Sequence, residues 1–205
     1  MTLLSEKIKA HKRFWRGEGP CLLLIPPDRA ELYDVAGYRD RFYDPRLMWA
    51  AEMRRARAVL DWPTDGIPTV RPNLGVIFIP AIAGQNYQIV EGQMPWPGDP
   101  LDRDQIRAIP GGDIADNALM VLAGEFYRIH QAEGGDEIVA YQPDTQSVFD
   151  IAHLLAGKSI FYDLYDDPAW VHELLEICLD LYLRVVNHLK PLLGEASQGI
   201  MVHGH

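Results

Sequence analysis

The chain has 205 residues, a net charge of −10 and a hydrophobic content of 48%. These values allow one domain with a sizeable core. Its 19 basic residues are scattered along the sequence, whereas nucleic-acid binding needs a concentrated basic face. No apolar run reaches the roughly 20 residues of a membrane span. The composition therefore argues against nucleic acid and against a membrane as partners.

The only two cysteines are Cys21 and Cys178. One lies in a predicted strand and the other on the apolar face of a predicted helix, so both are interpreted as buried thiols in a reducing compartment. The start of the chain is amphipathic and lacks the apolar core of a signal peptide. We therefore predict a cytoplasmic protein.

The N-terminal part alternates predicted helices and strands. Residues 5–16 form a predicted helix. The apolar run Cys21–Ile25 is typical of a strand covered on both faces, as in a parallel sheet. Asp44 and Pro45 suit the start of a helix that continues to about residue 60. A second strand is predicted at Ile67–Val70, and the apolar run Gly75–Ala83 also reads as β-like.

The middle of the chain is dominated by one irregular segment. Residues 87–91 read as a hairpin strand. Residues 92–112 are rich in Pro, Gly and Asp and are predicted to be a long loop excursion, a feature that in compact domains is usually functional or disordered. A helix follows at 116–133 and ends at Gly134-Gly135.

The C-terminal part contains the third parallel strand, at Ile138–Tyr141. A polar corner, residues 142–147, follows it, and a helix runs from about residue 149 to 156. A longer helix, 168–193, is capped by Asp167, and the last strand is Gly199–His203. Strands that alternate with helices predict a single α/β domain over residues 1–205 with a parallel sheet, but do not distinguish a barrel from an open sheet.

Three segments carry a resemblance to a known family: SVFDIAHLLAG at 147–157, FYDLYDDPAWVHELLEICLD at 161–180 and GIMVHGH at 199–205. They resemble the uroporphyrinogen decarboxylase superfamily, which includes cobamide-dependent methyltransferases. The middle segment matches the family's dlydDPelvhelld pattern almost position by position. The resemblance extends over roughly residues 135–202, and the arm Leu4–Gly17 is similar to openings of the methyltransferase-like branch.

The resemblance implies a (β/α)8 TIM barrel of the uroporphyrinogen decarboxylase type. Such barrels have roughly 250 residues, while this chain offers about four core strands. We therefore expect the N-terminal half of a longer barrel, truncated after those strands. The open sheet edges of a half-barrel favour pairing with another chain, which predicts a homodimer.

Active sites of such barrels lie on the loops that follow the strands. This rule selects the corner after the third strand, with Gln142 and Gln146 as substrate-binding residues and Asp144 as a catalytic acid or base. The same residue types also suit a turn followed by a helix cap, and both interpretations stay open.

Two arginines follow the first two strands. Arg29 and Arg71 have the fork geometry that binds carboxylates, although a surface position explains them equally well. In the related decarboxylases an arginine-rich corner follows the first strand. Here that corner reads PPDRAEL and contains one arginine. The decarboxylases' essential aspartate after the second strand is missing, because Arg71, Pro72 or Asn73 stands there.

Three histidines complete the candidate site. His153 stands where the decarboxylases have a tyrosine, and it fits a catalytic proton donor, a ligand, or a core or rim residue of an apolar helix. His203 and His205 are two residues apart, so in an extended chain both imidazoles face one metal ion. Zinc needs three or four ligands. In the methyltransferase-like branch a zinc site activates a thiol, but the ligands of that site lie beyond this chain.

The resemblance, together with the missing decarboxylase residues, implies corrinoid-linked methyl transfer on a small molecule, with zinc and with a corrinoid carried by a partner protein. The first alternative is a metal-free decarboxylase of a tetrapyrrole such as uroporphyrinogen, or of another acidic substrate, which needs no cofactor. The second alternative is a non-catalytic ligand-binding barrel.

Overall fold

The computed structural model describes residues 3–19, 37–61, 64–90 and 93–194. In chain order its helices are α1 Leu3–Trp15, α2 Tyr38–Tyr43, α3 Pro45–Asp61, α4 Phe78–Ile82, α5 Arg103–Ala108, α6 Ala118–Glu133, α7 Val148–Ala156, α8 Ile160–Asp166 and α9 Pro168–Leu193. The strands are β1 Thr69–Val70, β2 Tyr87–Gln88, β3 Trp96–Pro97 and β4 Val139–Ala140. The predicted strands Cys21–Ile25 and Gly199–His203 lie outside the described residues.

Two parallel strands form the centre of the α/β architecture. β1 pairs with β4, with Thr69 opposite Val139 and Val70 opposite Ala140. The N–H of Tyr141 donates to the carbonyl of Val70 and extends this ladder by one residue. The predicted strands at 67–70 and 138–141 are therefore confirmed as parallel neighbours, whereas barrel closure stays a prediction. β2 and β3 form a separate antiparallel pair.

The predicted strand at Gly75–Ala83 is wrong, because the segment contains helix α4. Ile77, Phe78 and Ile79 are all at most 1% exposed. A run that is buried on every side shows neither the helical nor the strand period, so a short helix and a buried strand look alike in sequence. Gly84, at φ +98°, follows the end of the helix.

Capping residues explain why the C-terminal helices begin and end where they do. Ser147 and Asp150 form a reciprocal capping box at the start of α7, and Gly157, at φ +70°, ends that helix. At the start of α9, the Asp167 carboxylate accepts from the N–H of Trp170. Gly194 then closes α9 in the left-handed conformation, as glycine commonly does at helix ends.

The segment 92–112, predicted as a long loop excursion, contains β3 and α5. Asp102 and Gln105 form a capping box that starts α5. This box is a local signal for a helix, but the Pro/Gly-rich composition of the segment obscured it. The segment is also tied to α7, since the N–H of Leu101 donates to the Leu155 carbonyl at 2.8 Å.

Two arginines attach α5 to α9. Arg103 pairs with Asp167 at 2.6 Å, and Arg107 pairs with Glu173 at 2.8 Å. Both guanidinium groups lie near the Trp170 ring, at 4.8 and 5.1 Å from its centroid. Because these ion pairs are largely exposed, they orient α5 more than they stabilise it.

The main core is helical and lies around the two parallel strands. α3 contacts α6, and α7 and α8 pack on α9. Completely buried side chains join these helices into one cluster: Phe42, Ala56, Val70, Leu74, Phe126, Tyr127, Ile151, Leu155, Leu174, Cys178, Val185 and Leu189. In the described part of the chain, no helix is long and apolar enough to cross a membrane.

His130, on the buried face of α6, makes the fold sensitive to pH. Its Nδ1 accepts from the indole N–H of Trp49 at 3.3 Å, so Nε2 carries the proton and donates to the Ile138 carbonyl at 3.2 Å. Burial lowers the pKa of His130 below its usual value of 6.5, against a smaller opposite effect of the Ile138 hydrogen bond. The folded protein therefore keeps the ring neutral.

We expect acid to destabilise the fold through His130. Below about pH 6.5 the unfolded chain binds a proton that the folded ring resists, so stability falls as pH drops from 6.5 through the folded pKa. His130→Gln offers a donor and an acceptor that do not titrate and should reduce the fall in Tm between pH 7 and pH 5. His188→Gln, at an exposed position of α9, serves as the control. Equal pH dependence in all three proteins would contradict this role.

Candidate substrate site at the carboxyl ends of β1 and β4

Polar side chains follow both central strands where these strands end. Arg71 comes directly after β1, and the corner Gln142–Gln146 comes two residues after β4. Because the two strands are parallel, their carboxyl ends lie at the same edge, which is where α/β folds bind ligands. Arg71 Nη1 lies 3.9 Å from Asp144 Oδ2, and both side chains are 15% exposed. The structure thus brings together two residues that were predicted separately.

Arg71 has a donor that the described protein atoms do not use. Its Nη1 is buried and has no hydrogen bond within the described residues, since 3.9 Å to Asp144 exceeds hydrogen-bond distance. The guanidinium carbon lies 5.7 Å from the centroid of the Tyr141 ring. A largely buried guanidinium that lies on an aromatic face, with a donor that no described atom uses, suits a bound carboxylate or a similar anion.

Gln146 holds Asp144. Its Nε2 donates to Asp144 Oδ1, which leaves Oδ2 on the side of Arg71. Gln146 has φ +56° and is the sole non-glycine residue with positive φ in the described ranges. Such conformations are strained and concentrate at functional corners. Gln146 therefore orients Asp144 through this bond, and its predicted contact with a substrate stays a prediction.

Gln142 is completely buried, and Thr145 is 5% exposed. Both residues are therefore buried within the corner that contains Asp144. Ser147 is occupied in the cap of α7. The segment therefore caps a helix through Ser147 and also presents a carboxylate to Arg71, while substrate binding and catalysis at this corner stay predictions.

Sequence reasoning missed the residues that support this corner. Glu52 on α3 is 3% exposed; its Oε2 accepts from Arg55 at 2.8 Å and its Oε1 accepts from Asn73 at 3.4 Å. Glu52 lies four residues after Met48 and four before Ala56, both buried. A carboxylate within an apolar helical stripe was the available signal.

Two tyrosines border the same corner: Tyr141 is buried, and Tyr38 is partly buried. The Tyr38 hydroxyl donates to the Asn73 carbonyl at 3.2 Å. The backbone N–H of Tyr141 donates to the carbonyl of Val70, the last residue of β1. Burial is the largest cause that raises the pKa of both hydroxyls above 10. Both phenols are therefore protonated at neutral pH and act as hydrogen-bond donors.

The remaining predicted residues are not part of this cluster. The His153 ring lies on α7, 5.1 Å from the ring of Phe161, and within the described residues it has no hydrogen bond or ion pair to Arg71 or Asp144. Arg29, His203 and His205 lie outside the described residues.

The described residues do not form a zinc site. Residues 3–19, 37–61, 64–90 and 93–194 contain no group of three or more His, Cys, Asp or Glu side chains that could hold a metal ion. Zinc requires three or four such ligands. Within the described chain, Arg71 and Asp144 provide charge and hydrogen bonds rather than metal ligation.

No family model matches the chain, and no curated protein matches it. A solved structure does match: a methyltransferase from Methanosarcina mazei, with a TM-score of 0.67 and 17% sequence identity. The match covers 92% of this chain and 56% of the methyltransferase, so the chain spans little more than half of that protein's length. At this identity the match reports on fold and not on activity. The chain therefore shares its α/β fold, over nearly its whole length, with this methyltransferase.

Proposed function

We propose that the protein is a methyltransferase of the uroporphyrinogen decarboxylase-like type that acts on a small acidic molecule. The observation that carries this proposal is the Arg71–Asp144 corner at the carboxyl ends of β1 and β4, in a fold that matches a methyltransferase. We further propose that the full fold is a TIM barrel and that the protein is cytoplasmic.

In this proposal Arg71 binds the anionic group of the substrate. Its buried Nη1 has no hydrogen bond within the described residues, and the low local dielectric strengthens its attraction for an anion. Asp144 Oδ2, which lies beside it, accepts a hydrogen bond from the substrate and acts as the acid or base. Gln146, through its bond to Oδ1, keeps Oδ2 directed toward that position.

When bound, a corrinoid carried by a partner protein would supply the methyl group or accept it, with a thiol or another nucleophile as the second partner in the exchange. Arg71 and Asp144 would hold the small molecule during this exchange. We keep zinc as a proposal that rests on His203 and His205, and no step assigned to Arg71 or Asp144 passes through it. His153 stays a proposed proton donor, although it lies on α7 beside Phe161 and not in the Arg71–Asp144 cluster.

Metal-free decarboxylation of a tetrapyrrole is the second candidate, because Arg71 would serve equally well as a clamp for a substrate carboxylate. One observation weakens it. The residues directly after β1 are Arg71, Pro72 and Asn73, so the carboxylate that related decarboxylases have after that strand is absent from this position.

Turnover by the full-length protein tests the two reactions side by side. Methylcobalamin is the methyl donor with a panel of small acidic thiols, and loss of its absorbance and formation of the S-methyl product are measured. Uroporphyrinogen is supplied in a parallel reaction, with chromatography of the products. We expect methyl transfer and no decarboxylation. Decarboxylation alone would replace the proposal by the second candidate, and tight substrate binding without either product would indicate a binding protein.

A further inference from the structure

Beneath the Arg71 corner lies a charged group that the proposed reaction does not use. The Glu52 side chain is 4% exposed and belongs to an ion pair with Arg55 at 2.8 Å. A buried ion pair usually adds little stability compared with apolar side chains of the same volume. Its contacts, rather than its contribution to stability, indicate what Glu52 does.

The first set of contacts leads from Glu52 to Arg71 through Tyr141. Arg55, which Glu52 holds, donates to the Thr69 carbonyl of β1 at 3.0 Å and hydrogen-bonds the Tyr141 side chain. The ring of Tyr141 in turn lies against the guanidinium of Arg71. A change in the orientation of Arg55 would therefore move the aromatic surface that supports Arg71.

The second set of contacts leads through Asn73. Its Nδ2 donates to Glu52 Oε1, its N–H donates to Met48 Sδ at 3.3 Å, and its carbonyl accepts from Tyr38. Pro72 alone separates Asn73 from Arg71 and restricts the backbone between them. Fixing Asn73 therefore fixes the backbone from which Arg71 extends.

We propose that Glu52 is a positioning residue: its buried carboxylate holds Arg55 and Asn73, which together set the orientation of Arg71. This inference rests on the substrate-binding role proposed for Arg71. Within the described residues Glu52 has no hydrogen bond or ion pair with Arg71 or Asp144. Its charge matters because it holds donors from two different elements, Arg55 on α3 and Asn73 in the loop after β1.

The chain contains a matched control for this role. Glu125 and Arg128 on α6 form an ion pair with the same spacing of three residues, at 3.0 Å, but their side chains are 50% and 62% exposed. Glu52→Gln and Glu125→Gln remove the same charge from the same helical geometry. The two variants differ in that only the Glu52–Arg55 ion pair is connected to the Arg71 corner.

The first measurement is the NMR signal of the Arg71 Nε–Hε group in the folded protein, assigned by its loss in Arg71→Lys. Glu52→Gln should shift this signal and accelerate exchange of Hε with water by about tenfold, within the range of coupling in one hydrogen-bond network. Glu125→Gln should leave it unchanged. A folded Glu52→Gln protein with a lower Tm and a wild-type Arg71 signal would overturn the proposal, since a merely structural residue behaves in that way.

Tyr141→Phe provides a second route if Glu52→Gln does not fold. The variant keeps the ring against Arg71 and removes the hydroxyl that contacts Arg55. We expect the Arg71 signal to shift in the same direction as in Glu52→Gln. An unchanged signal would overturn the connection through Arg55.

The methyl-transfer assay supplies an independent readout. Glu52→Gln should raise KM about tenfold and leave kcat within about twofold, because binding through Arg71 is weakened and the chemical step is not. If the protein shows no methyl transfer but the Arg71 signal responds to Glu52→Gln, the proposed reaction is wrong and the positioning role stands.

Discussion

Arg71→Met is expected to lower kcat/KM for methyl transfer by about 100-fold. The substitution keeps most of the side-chain volume against Tyr141 but removes the charge that lies 3.9 Å from Asp144. It also removes the buried donor Nη1. Removing one member of a desolvated charge pair at a binding site typically costs about 2–5 kcal/mol, and a 100-fold loss lies within that range. Most of the loss should appear in KM, because Arg71 is proposed to bind the substrate rather than to react with it.

Arg46→Met is the control for the loss of an arginine. Arg46 pairs with Glu133 at 2.8 Å, and the two side chains are 61% and 44% exposed. Exposed pairs contribute little, so this variant should keep wild-type kinetics and stability. Wild-type activity in a folded Arg71→Met protein would place the substrate elsewhere than at the corner.

Gly157→Ala is expected to lower the free energy of unfolding by about 3 kcal/mol. Gly157 has φ +70° and ψ −162°, a conformation that side-chain-bearing residues adopt at a cost of about 1–3 kcal/mol. A Cβ at this position would also lie 2.5 Å from Pro100 Cγ. For a chain of this length the expected fall in Tm is roughly 6–12 °C, measured by thermal unfolding.

Gly194→Ala separates the cost of the backbone conformation from the cost of the overlap with Pro100. Gly194 has φ +67° and ψ +20° at the end of α9, and among the described residues no atom would lie within 4 Å of a Cβ at this position. It should cost only about 1 kcal/mol, the backbone contribution. In a Pro100→Ala background, Gly157→Ala should recover the part of its effect that comes from overlap. Equal losses in Gly157→Ala and Gly194→Ala would show that contact with Pro100 contributes nothing.

The helices could be predicted from sequence wherever a local signal fixes their ends. α9 was predicted at the residues where it lies, because Asp167 caps its start and Gly194 can adopt the left-handed conformation that closes it. α4 could not be predicted. Its apolar residues pack against α6, α7 and α9, and that burial from several directions removes the periodicity on which sequence reasoning depends.

The candidate site likewise contains residues that the sequence could locate and contacts that it could not. Arg71 and the corner Gln142–Gln146 could be found because the ends of parallel strands are where such folds place polar residues. Their pairing at 3.9 Å could not be derived, since it depends on the register of β1 against β4. Glu52 lies on a helix well before either strand, and only the packed structure brings it beneath the corner.

The pairing of Thr69 with Val139 has a consequence for the order of events in folding. α4, α5 and α6 all lie between these partners in the sequence, so a long loop must close before the first β1–β4 hydrogen bond forms. Helices that depend on neighbouring residues form faster than such distant contacts. The corner that holds Arg71 and Asp144 is therefore assembled late, and a partly folded chain would contain most of its helices before it could bind a substrate.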